Sequence, residues 1–110
     1  MELIVDGIVI KTTDEGFLVD ITDWSEAVAI EIARLNELEI TALHWDIIFF
    51  IRDYYQDFKH LPNARVFTKA IKKKFGADVG NSRYLHKLFP KGPLKYACKI
   101  AGLPKPPSCL

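Results

Sequence analysis

Several things are scarce in this 110-residue chain. Long apolar runs are absent: the longest, Ile47 to Ile51, has five residues, far short of the roughly 20 a membrane span needs. Cysteine occurs only twice, at Cys98 and Cys109. Two are too few for a secreted disulfide scaffold or a Cys-based zinc site, and no Cys-x-x-Cys pair exists. The three histidines, His44, His60 and His86, have no metal-ligand spacing with one another or with carboxylates. No glycine-rich phosphate loop appears, and no Ser/His/Asp arrangement can be assembled. No metal or cofactor is expected. The N-terminus, Met1-Glu2-Leu3-Ile4-Val5-Asp6, carries acids where a signal peptide wants bases. The chain therefore reads as cytoplasmic.

What is present suits one globular domain. Hydrophobic residues make up 49% and charged residues 26%, which excludes disorder as the whole description. The net charge of +1 hides a division. Residues 1 to 58 hold Lys11, Arg34 and Arg52 against thirteen acids, a net of −10. Residues 59 to 110 hold twelve Lys and Arg against Asp78, a net of +11. The second half should attract an anionic partner, either an acidic protein or a nucleic acid.

The spacing predicts an α+β fold: a small β-element packed on about five helices, with a flexible C-terminal arm. Leu3-Ile4-Val5 and Ile8-Val9-Ile10 flank Asp6-Gly7, a type I′ hairpin signal. Phe17-Leu18-Val19 offers a third short strand. Asp23 or Ser25 can cap a helix near 24 to 36, and Thr41 a longer one near 42 to 59. The latter carries apolar side chains on more than one face and is expected to be the central core helix. Asn63 caps a helix near 64 to 75, closed by Gly76. Asn81 caps a short one through Phe89. Pro93 suits the first turn of a last helix, which Gly102 ends near Ala101. The expected core is Trp24, Val28, Ile32, Trp45, Ile48, Ile51, Tyr55, Val66, Phe67, Ile71, Leu85 and Leu88. Residues 1 to 102 form the domain and residues 103 to 110 the arm. Three of the four residues from Pro104 to Pro107 are proline, which forbids helix and favours polyproline II.

Cys109 is the penultimate residue, and Cys98 lies eleven positions before it. A C-terminal cysteine can be incidental. A thiol carried on a proline-stiffened arm, however, can visit a partner's site and return. Extended, Leu103 to Cys109 reaches about 23 Å; folded back, it can bring the two cysteines to the roughly 5.5 Å between Cα atoms that a disulfide requires. Cys98 falls on the last helix beside Leu94 and Ala101, so it reads equally as a small core residue. Lys91, Lys95 and Lys99 lie within two turns of it, and lysine can stabilise a thiolate. Lys105 could do the same for Cys109. A reading of another class rests on Lys69, Lys72, Lys73, Lys74, Arg83 and Lys87, placed on two short helices with helix-turn-helix spacing. Lysines at a helix C-terminus are also ordinary complements to the macrodipole.

Gly80-Asn81-Ser82-Arg83-Tyr84-Leu85, Leu88-Phe89-Pro90-Lys91-Gly92-Pro93 and Ala97-Cys98-Lys99-Ile100-Ala101-Gly102-Leu103-Pro104-Lys105-Pro106 resemble the DsrC/TusE family of sulfur-carrier proteins. So do Asp14-Glu15-Gly16-Phe17-Leu18, His44-Trp45, Ile51-Arg52-Asp53-Tyr54-Tyr55 and Thr68-Lys69-Ala70, so the likeness spans nearly the whole chain. The resemblance implies a short β-element, a helical body and a mobile arm. It also implies that Cys109 accepts sulfur as a persulfide and hands it on. In TusE-type members that cysteine works alone, in a relay that thiolates the wobble uridine of tRNA. In DsrC-type members, also called the gamma subunit of sulfite reductase, a second cysteine matching Cys98 joins it. The acceptor there is dissimilatory sulfite reductase. Donors in either case are sulfur-transfer proteins of the DsrE/TusD kind. The presence of Cys98 favours the DsrC type, with Cys98 as resolving thiol, Lys91, Lys95, Lys99, Lys105 and Arg83 as supporting or docking residues, and a monomer. One departure is visible: Pro107-Ser108 and Leu110 surround Cys109, where DsrC-type arms commonly have Gly before and Val after the cysteine.

Overall fold

A computed structural model describes residues 1–107 of the chain. Two strands open it, β1 (Glu2–Val5) and β2 (Ile8–Lys11), paired antiparallel with Leu3 opposite Ile10 and Val5 opposite Ile8. Asp6 and Gly7 join them with φ of +51° and +78°. Positive φ at both turn residues is what a type I′ turn demands, and it matches the strands' right-handed twist. One face of the hairpin, Leu3 and Ile10, is buried, while Ile4 and Val9 face outward. The expected third strand shrinks to a single bridge, Thr12 to Leu18. The tight turn around Gly16 leaves too few residues to extend the pairing, and Phe17 and Leu18 instead plug the core.

Five helices follow: α1 (Glu26–Leu35), α2 (Ala42–Phe58), α3 (Ala64–Phe75), α4 (Ser82–Leu88) and α5 (Pro93–Ile100). A single 3-10 turn, Ile21–Asp23, precedes α1. Side-chain caps start the first four helices. Ser25, Thr41, Asn63 and Asn81 each accept a backbone N–H of the first turn, satisfying a donor the helix leaves orphaned. His44 completes a capping box: its Nδ1 accepts the Thr41 backbone N–H at 3.0 Å. Its Nε2 lies 2.6 Å from the carbonyl oxygen of Leu88, and its ring meets Phe89 edge-on. That histidine ties α2 to the end of α4 and is structural. Helix α2 ends on Lys59, held at φ +59°.

The central position falls to α5 rather than to α2. The eight-residue α5 touches all four other helices, and Leu94, Ala97, Cys98, Lys99 and Ile100 on it are buried. Helix α2 lies along one side, with Phe49 and Phe58 exposed. Val28, Ile32, Ile48, Ile51, Phe67, Ile71 and Leu85 form the core as predicted. Trp24, Trp45, Tyr55 and Leu88 pack on its margin, half-buried. Val66 does not belong to it: at 41% exposure it faces solvent, because Phe67 and Ile71 set the inward stripe of α3 and Val66 lies about 100° off it. Gly80 explains how the loop after α3 folds so tightly. A Cβ there would meet the Cα of Lys72 at 2.1 Å, so only glycine lets the chain lie against the helix backbone.

Candidate functional site

The site is the C-terminal end of α5 and the segment that leaves it. Gly92 and Pro93 start the helix; Pro93 at its first position loses nothing, since that N–H has no intrahelical partner. From there the period brings Leu94, Ala97, Cys98 and Ala101 onto the inward side. Cys98 is wholly buried. The helix closes in a Schellman arrangement. The Leu103 N–H donates to the Cys98 carbonyl at 3.0 Å, and the Gly102 N–H to that of Lys99 at 3.2 Å, with Gly102 at φ +72°. Two more donors reach this end from far along the chain. Trp24 Nε1 donates to the Ile100 carbonyl at 2.8 Å, and Arg52 Nη1 to that of Ala101 at 2.7 Å. The guanidinium lies over the Trp24 ring, 3.9 Å from its centroid. Burial pulls Arg52 below its usual pKa, while neighbouring Asp53 acts the other way.

Residues 103–107 of the expected arm run back over the body. Leu103 and Pro106 are buried. Lys105 Nζ donates to Glu15 Oε1 at 2.9 Å, and Lys95 Nζ stands 3.6 Å from Glu15 Oε2. The hydrogen bond from Lys105 is the main reason the Glu15 carboxyl sits below its ordinary range, with the charges of Lys105 and Lys95 adding to it. Lys99 is buried, its ammonium 4.6 Å from the Tyr96 ring centroid and 5.3 Å from that of Phe17. Burial pulls its pKa down, with the positive charge of Lys95 acting in the same direction. It also lines a cavity of about 200 Å³ together with Glu15, Thr12 and Asn36.

The structure thus gathers three of the predicted residues, Lys95, Lys99 and Lys105, around the Glu15 turn. Lys91 lines a cleft of about 320 Å³ formed by α3, α4 and the start of α5, and its charge adds to the lowering of the Lys99 pKa. Arg83 is exposed on α4, and Lys72, Lys73 and Lys74 are exposed in the last turn of α3. Cys109 lies outside the described residues. Sequence reasoning does not reach Glu15, Trp24 and Arg52 as site residues. A signal for Arg52 exists: it is one of three cations among the thirteen acids of residues 1–58.

The innermost helix of this small body carries one thiol, and the proline-rich segment that follows leads in sequence to a second. The family is specific. A model described as "DsrC like protein" matches residues 4–110. The sulfurtransferase TusE of Salmonella choleraesuis is 51% identical over 108 residues, 98% of this chain and 99% of that protein. The TusE homolog of Haemophilus influenzae is 48% identical, covering 96% of this chain and 97% of that protein. Among solved structures, DsrC of Allochromatium vinosum matches with a TM-score of 0.91 at 47% identity. The oxidized gamma subunit of dissimilatory sulfite reductase from Archaeoglobus fulgidus matches at 0.86 and 41%. Each of these two structural matches covers 100% of both chains. The chain belongs to the DsrC family, and sulfur transfer is its class of activity. Among the described residues, no helix is long and apolar enough to cross a membrane.

Proposed function

We propose that this protein carries sulfur as a persulfide on Cys109 and delivers it within the TusE-type relay, whose end product is the 2-thiolated wobble uridine of tRNA. The observation that carries this reading is the full-length likeness, at 48–51% identity, to proteins named sulfurtransferase TusE. It reverses the order of the two readings suggested by the sequence. Loading is a thiol exchange: the Cys109 thiolate attacks the outer sulfur of a donor persulfide, the donor's S–S bond breaks, and the donor leaves as a thiolate. No net oxidation occurs. Release to the next thiol repeats the step. Such a relay belongs in the cytoplasm, where thiols stay reduced.

A second reading, delivery to dissimilatory sulfite reductase, has its own support in Cys98 and in the DsrC structures at 41–47% identity. On it, Cys98 is the resolving thiol. Its thiolate attacks the inner sulfur of the Cys109 persulfide, the Cys98–Cys109 disulfide forms, and hydrosulfide leaves. Two thiols are thereby oxidised and the carried sulfur reduced, and a dithiol reductant resets the pair. Because Cys98 is buried, this step needs local opening of the α5 end.

The acceptor test uses isotopically labelled sulfur. The loaded protein is incubated with a tRNA-thiolating enzyme, ATP and tRNA, and in parallel with dissimilatory sulfite reductase. Label in the tRNA that survives Cys98→Ser supports the TusE reading. Label that moves only to the reductase, and only with Cys98 intact, overturns it.

A further inference from the structure

One cavity is lined by buried polar groups that the fold leaves without partners. It measures about 200 Å³ and lies between the hairpin, the Glu15 turn, α1 and α5. Thr12 and Lys99 on its wall are each only 6% exposed. The Thr12 backbone N–H and carbonyl both pair with Met1, but its hydroxyl makes no hydrogen bond among the described residues. Among the same residues the Lys99 ammonium makes neither hydrogen bond nor ion pair. It has only the ring faces of Tyr96 and Phe17. The acid whose charge reaches it, Glu15, is already held by Lys95 and Lys105. Every fully enclosed side-chain N or O among the described residues has a hydrogen-bond partner. These two atoms therefore keep an open side, and the open space beside them is the cavity. A buried ammonium without a counter-ion is costly. At the mouth the charge is reversed: Glu2 and Asp14 line the same cavity and are exposed.

We propose that this cavity binds a small apolar α-amino acid, with its carboxylate on Lys99 and Thr12 and its ammonium toward Asp14 and Glu2. The ligand's side chain rests on Leu3 and Ile32, the buried apolar part of the lining. A ligand with one charge satisfies one end only. A plain carboxylate meets the acids at the mouth, and a plain amine meets Lys99. Volume sets the size: a cavity of about 150 Å³ holds benzene, so this one takes roughly eight heavy atoms, as in valine. Cys98 does not line the cavity, so the site is distinct from the thiol chemistry. Because its walls come from the hairpin, α1 and α5, a bound ligand fastens these elements together and stabilises the fold.

The probe is L-valine, added to the full chain, with isovalerate and isobutylamine as controls that each keep one of its two charges. The readouts are the side-chain NMR signals of Lys99 and Thr12 and the melting temperature. Valine is expected to move both signals to saturation and to raise the melting temperature. Isovalerate is expected to bind about tenfold more weakly, and isobutylamine to leave Lys99 unmoved. Lys99→Met keeps an unbranched stem without the charge and is expected to abolish binding. Thr12→Val keeps the shape without the hydroxyl and is expected to weaken it about tenfold. Asp14→Asn is expected to weaken binding of valine but not of isovalerate. A Lys99 signal unmoved at tens of millimolar valine overturns the proposal. So does valine binding that persists in folded Lys99→Met, or isovalerate that binds as tightly as valine. Should Lys99→Met fail to fold, Thr12→Val decides, and an unchanged valine affinity there overturns the site.

Discussion

Gly80 and Val66 mark the two ends of what single residues reveal. A glycine in a polar loop between helices reads as a turn residue, yet the reason for Gly80 is contact: any side chain would enter the backbone of Lys72. Gly80→Ala is expected to cost about 1–3 kcal/mol through overpacking. Gly76→Ala meets nothing within 4 Å but sits at φ +95° and ψ +167°, a region almost reserved to glycine, and is expected to cost about 1–3 kcal/mol from backbone strain alone. Urea unfolding of both separates the two causes: a Gly80→Ala variant as stable as the parent would contradict the close approach. Val66 and Phe67 are neighbouring apolar positions of one helix, and apolar character alone does not say which of the two faces inward. His44 shows the same limit: its lack of metal spacing is visible in the sequence, whereas its bonds to Thr41 and to the Leu88 carbonyl come from the fold.

Among the elements, starts were legible and centres were not. Capping is local chemistry, and Ser25, Thr41, Asn63 and Asn81 all stand where their side chains close a first turn. Asn81 does more: its Nδ2 also donates to the carbonyls of Ala77 and Asp78 at 2.9 and 3.1 Å, so one side chain organises both the loop and α4. Asn81→Ala is expected to destabilise by about 2 kcal/mol, against about 1 kcal/mol for Ser25→Ala, which loses a single cap bond. Equal costs in thermal unfolding would contradict that account. The rank of α5 was hidden, since an eight-residue helix with Lys95 and Lys99 reads as a surface element. Its centrality comes from what packs around it, including the bond from Trp24, and such long-range contact leaves no periodic trace. This is also why Cys98 read equally as core and as chemistry.

On the scale of the whole molecule, the division of charge has a local meaning. Glu15, from the acidic half, holds Lys95 and Lys105 of the basic half and so ties the C-terminal segment to the body. The Glu15 carboxyl is held below its ordinary value, chiefly by the Lys105 hydrogen bond. The contact is therefore complete at neutral pH and is lost as pH falls below the ordinary carboxylate range, through the depressed value. Salt acts in the same direction, because the pair is exposed. The Lys105 side-chain NMR signals should move in acid, and at 1 M salt where the screening length is about 3 Å, toward those of Glu15→Gln at neutral pH. Signals that coincide in the two proteins at every pH would contradict the tie.

The central claim concerns Cys109, which was legible only as a penultimate thiol on a proline-rich segment and gained its role from likeness to a family of sulfur carriers. Mass spectrometry after incubation with a persulfide donor tests it most directly. The parent and Cys98→Ser should each gain one sulfur, mapped to the C-terminal peptide, and Cys109→Ser should gain none. Sulfur that loads onto Cys109→Ser and fails to load onto Cys98→Ser would contradict the account.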